Sequence, residues 1–390
     1  MELIKRRVDE VTFFLTMLAV VLPVFSIAAA QGFLFLAFLS FLFEKGIRRD
    51  TGISLPPLKA PLLLFMAFTL LAYLCSPEPE IGSPPLRKFV LFVIIILVVN
   101  DFSKPRLFQT YQALFTAGFI AAGFSIYQYF FLLRGAVTDR LTGFMGHWMT
   151  LSGEMMLVFV ALAAYFIFAR PSPKLLWWIA LGVVGLSLTL TLTRSVWMAT
   201  IAGLLTLLWM RCYHWKSLAV VPLCLVLLLS MAPRVFRERM WSVFDSQNPS
   251  NYARLAIWKA GLRMIEAHPW VGVGPQRVSR VFYDYHPNSN DRYRSGFFPV
   301  HMHNNLLQFA AERGIPCALA WLWLILKIAI DHWRGFRRDE DGTQTKAIYA
   351  VGFISVVVLF LAGLFEFNFG DSEVLMIFLF LVSAPYAMKA

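Results

Sequence analysis

TLSGEMMLVFVALAAYFIFA, residues 150–169, is an apolar run interrupted by one charged residue, Glu154. A helix of about 20 such residues crosses the roughly 30 Å hydrocarbon core of a bilayer, so the stretch reads as a membrane span. The pattern repeats outward from it. Apolar runs near 11–30, 32–44, 60–76, 88–100 and 107–133 precede it, and runs near 174–191, 195–210, 217–232, 315–331, 347–366 and 372–389 follow. Together these make twelve expected spans, the second and fourth of them short. The expected fold is therefore an all-α polytopic membrane protein. Residues 1–232 carry spans one to nine, 233–314 form one large polar loop, and 315–390 carry the last three spans. The first run is too long, and too soon followed by another, for a cleaved signal peptide.

A hydrophobic content of 58% against 15% charged residues excludes an ordinary globular protein. The net charge of +12 would suit nucleic acid, but most cations follow topology instead. With a cytoplasmic N-terminus, that side receives Lys5, Arg6 and Arg7, then Lys45, Arg48, Arg49 and Lys59, then Lys104 and Arg106. Arg170 and Lys174, Arg211 and Lys216, and Arg334, Arg337, Arg338 and Lys346 continue the series. Every short link on that side carries at least two cations, as the positive-inside rule requires, and an even number of spans returns the C-terminus to the same side. Nucleic acid is thereby excluded as a partner. Cys75, Cys212, Cys224 and Cys317 lie far apart with no CxxC pair, which implies neither a disulfide framework nor a zinc site built on sulfur.

The opposite side holds the loop 233–314, with ten arginines against the single lysine Lys259. Arginine's planar fork suits bidentate recognition of phosphate or carboxylate. Within the loop, SNYARLAIWKAGLRMIEAHP (250–269) has Leu255, Trp258, Leu262 and Ile265 at helical spacing, Ser250 or Asn251 to cap the start, and Pro269 beyond the end. Arg254, Trp258 and Gly261 fall on one face of that helix. Gly272 and Gly274 in HPWVGVGPQ permit close backbone approach or positive φ. A short helix is expected over 276–285 and irregular chain over 286–300.

HMHNN (301–305) then places two histidines at the edge of a span. Residues two apart on a helix point about 200° away from each other, so His301 and His303 share a ligand only if the stretch is extended. Asn304 or Asn305 can cap a helix that runs to Gly314. A zinc site would want further ligands, and His147, His268, His286, Glu154 and Asp284 stand at no recognisable ligand spacing, so no metal is expected. Glu154 and Glu366 lie within or beside apolar runs, where ionisable groups are costly and usually functional. Either is suited to orient an arginine.

RLAIWKAGLRMIEAHPWVGVG (254–274), HMHNNLLQFAAERGIP (301–316) and TLTRSVWMA (191–199) together resemble the signature of the O-antigen ligase and polymerase superfamily. The resemblance implies a glycosyltransferase of the GT-C type in the bacterial inner membrane, with its active site in the periplasm. It implies a donor glycan on undecaprenyl diphosphate, a lipid A-core acceptor, surrounding membrane lipids and no cofactor. It places the family's functional residues on Arg194, Arg254 and His303, with Lys88 a less distinctive match. The arginines would hold the departing diphosphate. His303 would take the acceptor's proton, since an imidazole changes charge near neutral pH. Lys88, His301, Asn304, Trp258, Gly272 and Gly274 are expected to bind substrate. One large loop favours a ligase over a polymerase, and one-sided Arg and His residues argue against a transporter, whose polar sites would be paired between halves.

Overall fold

The computed structural model describes residues 2–48, 52–133, 140–212, 234–242, 245, 247–286, 300–340 and 342–388. The described chain is helical throughout. In order its helices are α1 (Glu2–Val21), α2 (Ile27–Arg48), α3 (Lys59–Leu74), α4 (Ser83–Arg87), α5 (Val93–Asp101), α6 (Lys104–Tyr127), α7 (Trp148–Ala169) and α8 (Lys174–Leu190). Then come α9 (Arg194–Cys212), α10 (Arg234–Trp241), α11 (Pro249–Ala267), α12 (Val278–Tyr285), α13 (Asn305–Arg313), α14 (Ile315–Arg338), α15 (Gln344–Ala362) and α16 (Ser372–Ala387).

Seven helical stretches among the described residues are long and apolar enough to cross a membrane: Ile27–Arg48, Pro79–Asp101, Lys104–Leu132, Trp148–Ala169, Arg194–Cys212, Ile315–Arg338 and Gln344–Ala362. Three shorter apolar helices, α3, α8 and α16, accompany them. The expected span at 217–232 lies outside the described residues. The boundary between the first two runs differs from expectation: α1 ends at Val21 and a 3-10 turn over Leu22–Val24 follows. Pro23 explains it, because proline lacks the N–H that would continue the helix. The short fourth run gains its length from 3-10 turns at Pro79–Gly82 and Lys88–Phe92 on either side of α4.

α7 is the centre of the bundle, packed against α8, α9, α15 and α16, and most of its side chains are buried. Between apolar helices in lipid there is little hydrophobic driving force, so close contact through small residues does the holding. Gly153 on α7 illustrates it: a Cβ there would come within 2.8 Å of Val374 on α16. Leu63, Leu74, Leu175 and Trp178 on the outer helices α3 and α8 stay exposed, as a lipid-facing surface requires.

The polar segment sits on one end of this bundle. Asn248, and not Ser250 or Asn251, caps α11, its Oδ1 accepting from the Ser250 N–H at 3.1 Å; Pro249 at the first helical position sets that start. The turn after α11 then docks along α13. Val273 and Gly274 donate to the carbonyls of Ala311 and Glu312 at 2.8 and 3.0 Å, and Ile315 donates to the Pro269 carbonyl at 2.8 Å. Gly272 has φ 67° and Gly314 φ 85°, and a Cβ on either would strike the opposite backbone. Gly314→Ala is therefore expected to combine left-handed strain with a backbone clash, costing about 3 kcal/mol or more. A melting temperature in detergent within 1–2 °C of the parent (roughly what under 1 kcal/mol produces) would show this docking to be dispensable.

Candidate functional site: a histidine pair, a buried carboxylate and an arginine cluster

Asn304 caps α13, its Oδ1 accepting from the Leu307 N–H at 3.0 Å, while its amide donates to the Leu364 carbonyl at 3.0 Å. Asn305 reaches in the same direction, donating through its backbone to Gly363 at 2.7 Å and through its side chain to Asn368 at 2.8 Å. These bonds fasten the start of α13 to the turn between α15 and α16. The histidine stretch is not helical, and His303 takes φ 49°, a conformation uncommon for a residue with a Cβ and found where the surroundings enforce it.

That backbone brings His301 and His303 to the same side, ring centroids 4.2 Å apart, and both face Glu366. His303 Nδ1 lies 3.1 Å from Glu366 Oε2, and His301 Nε2 lies 3.6 Å from Oε1. Glu366 Oε1 also accepts the Phe367 N–H at 3.1 Å. An ionised carboxylate only accepts, so Nδ1 of His303 donates to Glu366 and Nε2 is the ring's other nitrogen. The Nδ1 of His301 accepts from the His303 backbone N–H at 3.3 Å. Burial would raise the pKa of Glu366, but the His303 hydrogen bond and the two imidazoles outweigh it and hold the carboxyl below its ordinary value. Burial pushes His301 down to about 4, against the pull of Glu366.

Trp258 and Gly261 on α11 close over this group: Trp258 Nε1 donates to the Met302 carbonyl at 3.0 Å, and Gly261 lies against the Met302 side chain. Arg254, one turn earlier, is half-buried and close enough to Glu366 to feel its charge. Burial lowers the pKa of Arg254, with Glu366 opposing and Arg239 adding to the fall. Burial likewise lowers Arg140 and Arg239, with Arg239 and Arg254 reinforcing the effect on Arg140. Arg194 begins α9 beside them. Its Nη1 donates to the Ser242 carbonyl at 2.7 Å and Oγ at 2.9 Å, and its Nη2 to Asn251 Oδ1 at 2.9 Å. Arg194 thus ties α9 to α10 and α11. Four guanidiniums crowd together here, each made less comfortable by burial or by its neighbours, an arrangement that an anion would relieve.

Lys88 stands elsewhere. It donates to the Gly370 carbonyl, and its charged neighbours are Asp371, Arg313, Glu373 and Glu312, not Arg194 or Arg254. A cavity of about 340 Å³ runs from His301 and Glu366 to Lys88, His147, Asp371 and Glu373. A second of about 220 Å³, walled by Phe65, Phe89, Phe309 and Arg313, meets it at Lys88 and His301. Gly272 and Gly274 line neither cavity; their positive φ (67° and 104°) serves the docking on α13. Asn304 and Trp258 also direct hydrogen bonds to protein backbone. These contacts give all four a positioning role.

A carboxylate also stands beside the histidines. Glu366 supplies it, and ligand atoms of His301, His303 and Glu366 lie within 4.8 Å of one another, close enough to hold a metal ion. Only its place beside an apolar run marked Glu366 in the sequence. Arg140 and Arg239 carry no separate signal in the sequence, because a cluster assembled from four parts of the chain has no local pattern.

Residues 179–322 match the family model described as O-Antigen ligase, a segment that starts within α8, takes in Arg194, Arg254 and both histidines, and ends within α14. A search of curated proteins gives no match. The apolar helices and this site define a polytopic membrane protein with a one-ended polar centre. Over that segment the chain is similar to the O-antigen ligase family.

The depressed pKa of His301 has a consequence for stability. Unfolded, the ring binds a proton near its ordinary 6.5; folded, it resists until about 4. Its contribution is complete above 6.5 and is lost as the pH falls through that interval. Between pH 7 and 4 the melting temperature of the parent protein is expected to fall further than that of His301→Gln. Parallel curves would contradict a buried neutral imidazole.

Proposed function

We propose that the protein transfers a glycan from undecaprenyl diphosphate to a lipid A-core acceptor, as an inverting, metal-independent O-antigen ligase of the GT-C type. In this reading twelve spans place both termini in the cytoplasm and the loop 233–314 on the periplasmic face of the inner membrane. The observation that carries it is the juxtaposition of the crowded guanidiniums with the His303–Glu366 pair: Arg254 senses both Arg239 and Glu366.

The chemistry follows from that pairing. The diphosphate of the donor settles among Arg254, Arg239, Arg140 and the remaining donors of Arg194, whose charges match the negative charge that builds as the anomeric C–O bond breaks. An acceptor hydroxyl attacks the anomeric carbon from the opposite face and its proton passes to Nε2 of His303. Glu366 steadies the resulting imidazolium through Nδ1–H, as a carboxylate behind a catalytic histidine does. The bonding electrons leave with the diphosphate, and a single displacement inverts the anomeric centre. Arg254 next to Glu366 favours this organic dyad over a metal at the same three side chains, because a cation beside the carboxylate opposes a second one.

With purified protein, carrier-linked glycan and lipid A-core, His303→Ala is expected to lose about 10²–10⁴-fold in turnover, the range of a general base, while donor binding persists. Arg254→Lys keeps charge but loses the fork, and a drop on the order of 10²-fold is expected. Unchanged turnover in either variant would remove that residue from the chemistry. Glycan growing on its carrier with no transfer to core would instead identify a polymerase. Exhaustive chelation should leave the rate intact, and its restoration only by a divalent cation would assign His301, His303 and Glu366 to a metal.

A further inference from the structure

The cavity of about 340 Å³ beyond His301 has a chemistry that the diphosphate reading does not use. It shares His301 and Glu366 with the proposed transfer centre, yet none of Arg140, Arg194, Arg239 or Arg254 lines it; Lys88, His147, Asp371 and Glu373 do. An anionic leaving group has no reason to enter a chamber edged by carboxylates. Asp371 is held in place by Thr150, whose Oγ1 donates to its Oδ2 at 2.7 Å, and Lys88 is held at the Gly370 carbonyl. One turn beyond Thr150, Glu154 is fully buried with neither carboxyl oxygen hydrogen-bonded, and it lies within electrostatic reach of Asp371 and Glu373. Asp371 and Glu373 line the cavity where α7 meets the start of α16, with Glu154 buried behind them, and their oxygens form a wall that a ligand bearing several hydroxyls would complement. The volume is at the low end of the roughly 300–1,000 Å³ of small-ligand sites, a size for saccharide and not for a lipid chain.

We propose that this cavity is the acceptor subsite, in which Asp371 and Glu373 accept hydrogen bonds from hydroxyls of an uncharged sugar while another hydroxyl of that sugar is presented to His303. The proposal rests on the transferase reading and assigns it a polarity: diphosphate on the guanidinium side of Glu366, acceptor sugar on the carboxylate side. Lys88, a substrate-binding residue by family resemblance, then borders the acceptor and donates to it.

The test is equilibrium binding, which does not require turnover. The oligosaccharide released from lipid A-core by mild acid is titrated by calorimetry into the full-length protein in detergent. Asp371→Asn and Glu373→Gln, nearly isosteric, are each expected to weaken binding about tenfold or more, the loss that follows from removing a buried hydrogen-bond partner. In turnover assays the acceptor KM rises to match, with the donor KM within twofold of the parent. Thr150→Val, which frees Asp371 without touching the cavity, gives a smaller loss and guards against misfolding of the other two. Binding undiminished in both carboxylate variants, or a donor KM that rises with the acceptor's, overturns the subsite. A protein that binds the saccharide through these residues but never joins it to a glycan retains the subsite and overturns the transferase reading.

Discussion

One buried carboxylate organises the polar end of this protein. Glu366 accepts from His303 at 3.1 Å and from the Phe367 N–H at 3.1 Å, faces His301 at 3.6 Å, and lies within the field of Arg254. It thereby joins the turn between α15 and α16 to the entrance of α13 and to α11. A carboxylate cannot be buried in such a place without donors and opposite charge, so the positions of the histidines, the unusual backbone of His303 and the seating of α11 follow together from its presence.

The same constraint separates two kinds of surface. On one side guanidiniums from the stretch before α7, the head of α9, α10 and α11 converge; on the other the start of α16 contributes carboxylates next to Lys88. A reaction that must stabilise a departing anion and also take a proton from an incoming hydroxyl would benefit from this asymmetry, since His303 sits at the border between opposite fields. The rigid membrane helices maintain the border. Glycine contacts such as Gly153 against Val374 bring α7 and α16 close, and Thr150 on α7 fixes Asp371.

Much of this was legible in the sequence for physical reasons that are easily stated. Hydrocarbon imposes long apolar runs, so the class of fold and most helix positions were readable; Pro23 moved one boundary, and 3-10 turns lengthened a run that looked too short. The caps and stops around α13 were readable as well, because Asn304 and Gly314 act on their immediate neighbours. Gly272 and Gly274 announced positive φ, but not its purpose, which is to lay one backbone against another. Lys88 and Arg194 are grouped by family resemblance, yet they stand in different electrostatic neighbourhoods.

The sequence by itself determined what the bilayer and local backbone chemistry dictate: a membrane-embedded helical protein, one arginine-rich polar segment, and a histidine pair at the mouth of a helix. Those are properties of neighbouring residues and of the solvent around them. Only the tertiary structure decided which carboxylate meets the histidines, that Arg140 and Arg239 stand with Arg254, and that carboxylates gather beyond His301. Such contacts join residues tens to hundreds of positions apart, and their energies exist only once the helices have packed.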